Sequence, residues 1–151
     1  MPKEVDFSLR PMAPHDFPAL LALFQEFATF QRTPEYMVNS LERMEAEQDL
    51  INGFVAVNPA GEILGYASYF LAYTTWVGKS MYLDDLYVRE AHRKLGLGKA
   101  LIDRVIEEAK VQKCHRLKWQ VSRWNENAQE FYRQLGAIID DVEINCKLNL
   151  D

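Results

Sequence analysis

The chain has 151 residues, nearly half of them apolar and about a quarter charged, with a formal net charge of −5. That length supports one packed domain over residues 1–151. The acidic balance excludes general affinity for nucleic acid, which needs a basic surface to displace counterions. Two distant cysteines (Cys114, Cys146) and three scattered histidines (His15, His92, His115) match no metal-ligand spacing, so no metal is expected. The thiols read as reduced and partly buried. No apolar run reaches the length of a membrane span and the N-terminus has no signal-peptide pattern, which points to a cytoplasmic protein with no membrane partner.

In chain order, "FSLRPM" predicts a short strand. Asp16 then caps a helix whose Phe17, Leu20, Leu21, Phe24, Phe27 and Ala28 share one face. Thr33-Pro34-Glu35 predicts a second helix, with Thr33 as cap, a thin stripe of Met37, Leu41 and Met44, and acidic Glu42, Glu45 and Glu47. "GFVAVNPAGEILGYASYFLAY" reads as a hairpin turning at Asn58–Gly61, and "MYLDDLYV" as a further strand. From Leu97, the apolar residues Leu101, Ile102, Val105, Ile106 and Ala109 predict an amphipathic helix ending near Lys113. "RLKWQVS" returns as a strand, Asn125 caps a helix through Leu135 that Gly136 ends, and "INCKLNL" alternates as a last strand. The order β-α-α-β-β-β-α-β-α-β predicts an α/β protein with a mixed sheet and helices on both faces.

Between the "MYLDDLYV" strand and the following helix lies "RKLGLGKA". It is not a Walker A loop, because Arg93 stands where glycine is required and Ala100 where Ser or Thr is required. Nor is it a dinucleotide fingerprint, because Leu101 occupies the third small position. What remains is Arg-x-x-Gly-x-Gly opening a helix, whose first-turn N–H groups can receive an anion. The same residues also suit a tight strand-helix turn with solvated basic side chains.

The segments "YLDDLYVREAHRKLGLGKALIDRVIEEA" and "WNENAQEFYRQLGA" resemble the GNAT superfamily of N-acetyltransferases. The resemblance implies a mostly antiparallel twisted sheet with a splayed central strand pair. It also implies acetyl-CoA as co-substrate, with its pyrophosphate on the backbone amides of Lys94, Leu95, Gly96, Leu97, Gly98 and Lys99, and with Arg93, which opens the signature, also on the cofactor side. The backbone of Leu86, Tyr87 and Val88 would pair with pantetheine, and Asn125 and Ala128 would contact the cofactor. Tyr132 matches the general acid that protonates the leaving thiolate, although Ala128, Phe131, Tyr132 and Leu135 also form an ordinary apolar helix face.

"YFLAYTTWVGKSMYLDDLYV" with "SRWNENAQEFY" is similar to the diamine and polyamine branch, which includes thialysine-acetylating enzymes. There Asp84 matches the acidic residue that contacts the acceptor amine. Phe30 and Gln31 stand where that branch usually has Tyr-Glu, and Arg123 and Trp124 join the acceptor side. Arg123 suits an acceptor carboxylate. Asp84 and Asp85 point to opposite faces of a regular strand, so without a bulge only one of them faces the acceptor. The reading is a direct-transfer N-acetyltransferase for a diamine, polyamine or amino-acid-like amine, and the resemblance implies a homodimer. A protein lysine or N-terminal acetyltransferase and a noncatalytic acyl-CoA sensor are the alternatives.

Overall fold

The computed structural model describes residues 5–151. Its contacts divide the chain into two compact units, one reaching to Trp119 and the other running Gln120–Asp151.

In the first unit, strands β1 (Ser8–Pro11), β2 (Asn52–Val57), β3 (Ile63–Thr74), β4 (Gly78–Val88) and β5 (Arg116–Lys118) form one sheet in that spatial order. The first four strands pair antiparallel, and β5 runs parallel to β4. Helix α1 (Phe17–Phe30) covers one face, burying Phe17, Leu20 and Leu23 against Val55, Val57, Ile63, Tyr66 and Tyr87. Helix α3 (Leu97–Val111) packs on β2, β3 and β4, burying Leu97, Leu101, Ile102, Val105 and Ala109. Phe54, one residue before Val55 and so on the opposite face, lies beneath the α3 Arg104 guanidinium, 4.3 Å from it to the ring centroid. The two-residue alternation of β2 thus supplies both helix layers, as expected for a mixed sheet covered on both faces.

Asp16 precedes α1 but makes no side-chain cap. Its buried carboxylate instead accepts two bonds from Arg10, each 2.7 Å, and the Ala13 N–H at 2.9 Å. The Arg10 bonds hold its carboxyl below the usual range. Asp16→Ala is expected to cost about 2 kcal/mol, the scale of hydrogen bonds to a charged group. Chemical denaturation would check it, and a change within about 0.5 kcal/mol would reject it as a surface-like effect.

Two expected elements form differently. Thr33 makes no side-chain cap, and Pro34–Tyr36 is a single 3-10 turn after which Met37 is extended. The second helix, α2 (Leu41–Ala46), starts where the Ser40 hydroxyl accepts the Arg43 N–H at 3.1 Å. The strand expected from "RLKWQVS" keeps only Arg116–Lys118.

In the second unit, Asn125 Oδ1 accepts the Ala128 N–H at 3.1 Å and starts helix α4 (Glu126–Gln134). Gly136 follows at φ +89°, a left-handed turn that suits glycine. The expected strand "INCKLNL" is not formed: Ile144, Leu148 and Leu150 are all exposed. Alternation favours a strand only where another strand offers an edge, and among the described residues of this unit there is none. Cys114 and Cys146 are free thiols, Cys114 half-buried and Cys146 exposed, which corrects the expectation that both are partly buried.

Candidate active site

The site begins with an irregularity in β4. Ser68 pairs with Asp85 and Tyr69 with Leu83, so Asp84 is an extra residue opposite no partner. This bulge breaks the alternation that would separate the two carboxylates. Both line one cleft of about 400 Å³ together with Phe24 and Phe27 of α1. A regular strand would have turned only one of them this way; the bulge turns both.

Within the pair the environments differ. The Tyr66 hydroxyl donates to Asp85 Oδ2 at 2.8 Å. Burial, then the neighbouring Asp84 charge, raises the Asp85 carboxyl to about 6, and the Tyr66 bond offsets part of that rise. Asp84, open to the cleft, is also raised by desolvation. Tyr66 is itself pushed up by burial and by both carboxylates, which keeps its proton in place as the donor. Asp85 therefore changes charge close to neutrality, as a proton acceptor must. Sequence reading missed Asp85, because nothing in "LDDL" announces the bulge.

Of Phe30 and Gln31 at the end of α1, both expected at the acceptor, Gln31 lines the cleft. Phe30 instead packs on Tyr87, with ring centroids 6.2 Å apart, and lies beneath the Arg93 guanidinium at 4.4 Å.

Beyond the bulge, β4 has one open edge. β5, the short strand at the edge of the sheet, accompanies it only over Ser80–Tyr82. The Arg89 N–H donates to Leu64 O at 2.9 Å, so the ladder turns Tyr87's backbone groups toward β3. The backbone groups of Leu86 and Val88 consequently face the open edge. Arg93 Nε donates to Val88 O at 2.9 Å and ties the loop to the strand end.

The loop then enters α3 through two left-handed residues, Lys94 at φ +63° and Gly96 at φ +89°. A non-glycine residue in that region costs about 1 kcal/mol. Gly98 follows in the first turn of α3. A Cβ there would meet nothing nearer than Val88 Cγ2 at 3.8 Å, so packing does not require glycine. The first-turn N–H groups of Leu97, Gly98 and Lys99 have no intrahelical acceptors. Lys99 Nζ is paired with Asp103 at 2.6 Å, while the first-turn N–H groups offer an anion backbone donors.

In the second unit, Asn125 and Ala128 form the α4 cap described above. Tyr132 is buried and its phenol is raised by burial, so it stays protonated at neutral pH. Arg123 is paired with Asp141 at 3.1 Å, and Trp124 is partly exposed. Among the described residues no group of His, Cys, Asp or Glu could hold a metal ion. No helix is long and apolar enough to cross a membrane.

Residues 17–137 match the acetyltransferase (GNAT) family, and the chain belongs to that family. It is similar to a thialysine N-epsilon-acetyltransferase of Caenorhabditis elegans, 32% identical over 84% of this chain and 80% of that one. It is also 32% identical to the thialysine N-epsilon-acetyltransferase of Bos taurus, over 78% of this chain and 76% of that one. Its fold is shared by an aminoglycoside acetyltransferase from an uncultured soil metagenomic sample, with a TM-score of 0.78, 18% identity, and coverage of 96% of this chain and 97% of that one. The expected N-acetyltransferase class and α/β fold are both borne out by these likenesses.

Proposed function

We propose that residues 1–151 act as one domain that transfers acetyl from acetyl-CoA to a primary amine of a small molecule, directly and within a ternary complex. The observation that carries this reading is the arrangement along β4 and into α3. Paired carboxylates, an open strand edge and a glycine-lined helix start follow one another at Asp84–Asp85, Leu86–Val88 and Arg93–Lys99. The edge offers Leu86 and Val88 to a peptide-like pantetheine, and the first turn of α3 offers backbone N–H groups to its pyrophosphate.

An alkylamine with a pKa near 10.4 arrives mostly as the ammonium. Asp84, open to the cleft, binds it by charge. Asp85 accepts its proton, and the freed nitrogen forms the C–N bond as the C–S bond breaks. Tyr132 supplies the proton that the departing thiolate takes up, and the second proton that the nitrogen loses on becoming an amide returns to the phenol. Neither cysteine is needed as an acyl carrier. The resemblance also carries a cytoplasmic homodimer, for which the exposed Tyr73 and Trp76 beside the β3–β4 turn supply apolar surface.

Acetyl-CoA turnover followed by thiol release, against a panel of amines, amino acids and peptides, tests the reaction. Release with a small amine supports it. Tight CoA binding with no turnover of any acceptor overturns it in favour of a sensor, and preference for peptides overturns the small-molecule class.

Gly98→Ala tests the cradle separately. Alanine is the better helix former by about 1 kcal/mol and meets no clash here, so the melting temperature should hold or rise. CoA affinity should fall about tenfold or more, because the new methyl group occupies the ligand's approach. Unchanged CoA affinity by calorimetry would remove Gly98 from the site.

A further inference from the structure

The charge inventory of the cleft narrows the acceptor, on the footing of the transferase reading above. Among the described lining residues, Asp84 and Asp85 carry the only formal charges. They sit together at the bulge. The remaining polar groups, such as Gln31, Thr33 and Asn52, are neutral, and Phe24, Phe27, Tyr36 and Phe70 give the walls an aromatic character. Phe70 is held in place by stacking on Tyr82, with ring centroids 5.0 Å apart.

We propose that the cleft takes a primary monoamine with an uncharged, apolar body, its ammonium at the paired carboxylates. An amino acid would bring a carboxylate toward Asp84 and Asp85 with no lining cation to receive it. Arg123, which the sequence offers for that role, is paired with Asp141 within its own unit. A polyamine would place its second ammonium against aromatic and neutral walls, with no further carboxylate to offset its lost hydration. An apolar body loses nothing there and gains contact with the rings.

Calorimetric binding to the CoA-saturated full chain reads the acceptor class, and turnover reads the reaction, so the two fail separately. Phenethylamine should bind about a hundredfold more tightly than thialysine, since like-charge juxtaposition costs several kcal/mol. It should also bind more tightly than spermidine. Equal or tighter binding of thialysine or spermidine, or no binding of any amine, overturns the assignment. That ranking without turnover supports it and overturns the transferase reading alone. Tyr36 is mostly exposed, so Tyr36→Ala should keep the melting temperature while lowering phenethylamine affinity about tenfold. An unchanged affinity would show that this cleft does not hold the amine's body.

Discussion

Asp85→Asn is expected to do two opposite things: slow acetyl transfer by about a hundredfold or more, and raise the melting temperature at neutral pH. Both follow from a carboxyl raised to about 6 from an ordinary 3.8 by burial and by the Asp84 charge. Because the folded value lies above the unfolded one, the native state holds the proton more tightly. Stability from this group is therefore complete below about pH 3.8 and is lost as pH climbs through about 6. The ionised carboxylate then costs up to roughly 3 kcal/mol. Asparagine removes that cost and still accepts the Tyr66 hydroxyl.

Melting curves of both proteins across this range should show a gap that opens between about pH 4 and 7 and stays constant above. A constant gap throughout would mean that Asp85 titrates as an ordinary surface carboxyl. In the wild type, kcat/KM should rise with pH through a limb near 6, and the variant should lack that limb. An unaltered kcat/KM in Asp85→Asn would remove it as the proton acceptor.

Tyr132→Phe is expected to lower kcat by about a hundredfold while leaving CoA affinity within about twofold. The ring is buried and phenylalanine retains it, so the packing persists and only the proton donor is lost. Burial holds the phenol above its usual value, so the wild-type donor remains loaded at neutral pH. The variant's deficit should shrink with a thioester whose thiol is more acidic, because such a leaving group needs no proton. A full rate in the variant would exclude Tyr132 from the chemistry. An equal loss in CoA affinity would make it a binding residue instead.

The strand-helix loop and the start of α4 were legible in the sequence because local rules set them. Glycine spacing at a strand-helix junction and a capping Asn125 are properties of a few neighbouring residues. The meeting of Asp84 and Asp85 in one cleft was not, because it depends on how β3 and β4 pair. The slip between Ser68 and Tyr69 leaves no mark in "LDDL", yet it decides whether two carboxylates meet. Similarly, the alternation in "INCKLNL" has the period of a strand, but that unit offers it no strand edge. Thr33 and Ser40 are both acceptable caps by residue type, and only Ser40 has a helical N–H within reach.

The bulge at Asp84 also acts as a phase break. On either side of it β4 keeps a two-residue period, but the two stretches are out of step with each other. Deleting that one residue would restore a single period with Leu83 and Met81 still opposite Tyr69 and Leu71, whereas pairing Asp84 in register would turn both to the opposite face of the sheet. Substitutions before the break can therefore change how Tyr82 stacks on the cleft-lining Phe70 without changing which way Leu86 and Val88 present their backbone. One strand can in this way keep a fixed open edge at one end while the wall at its other end varies.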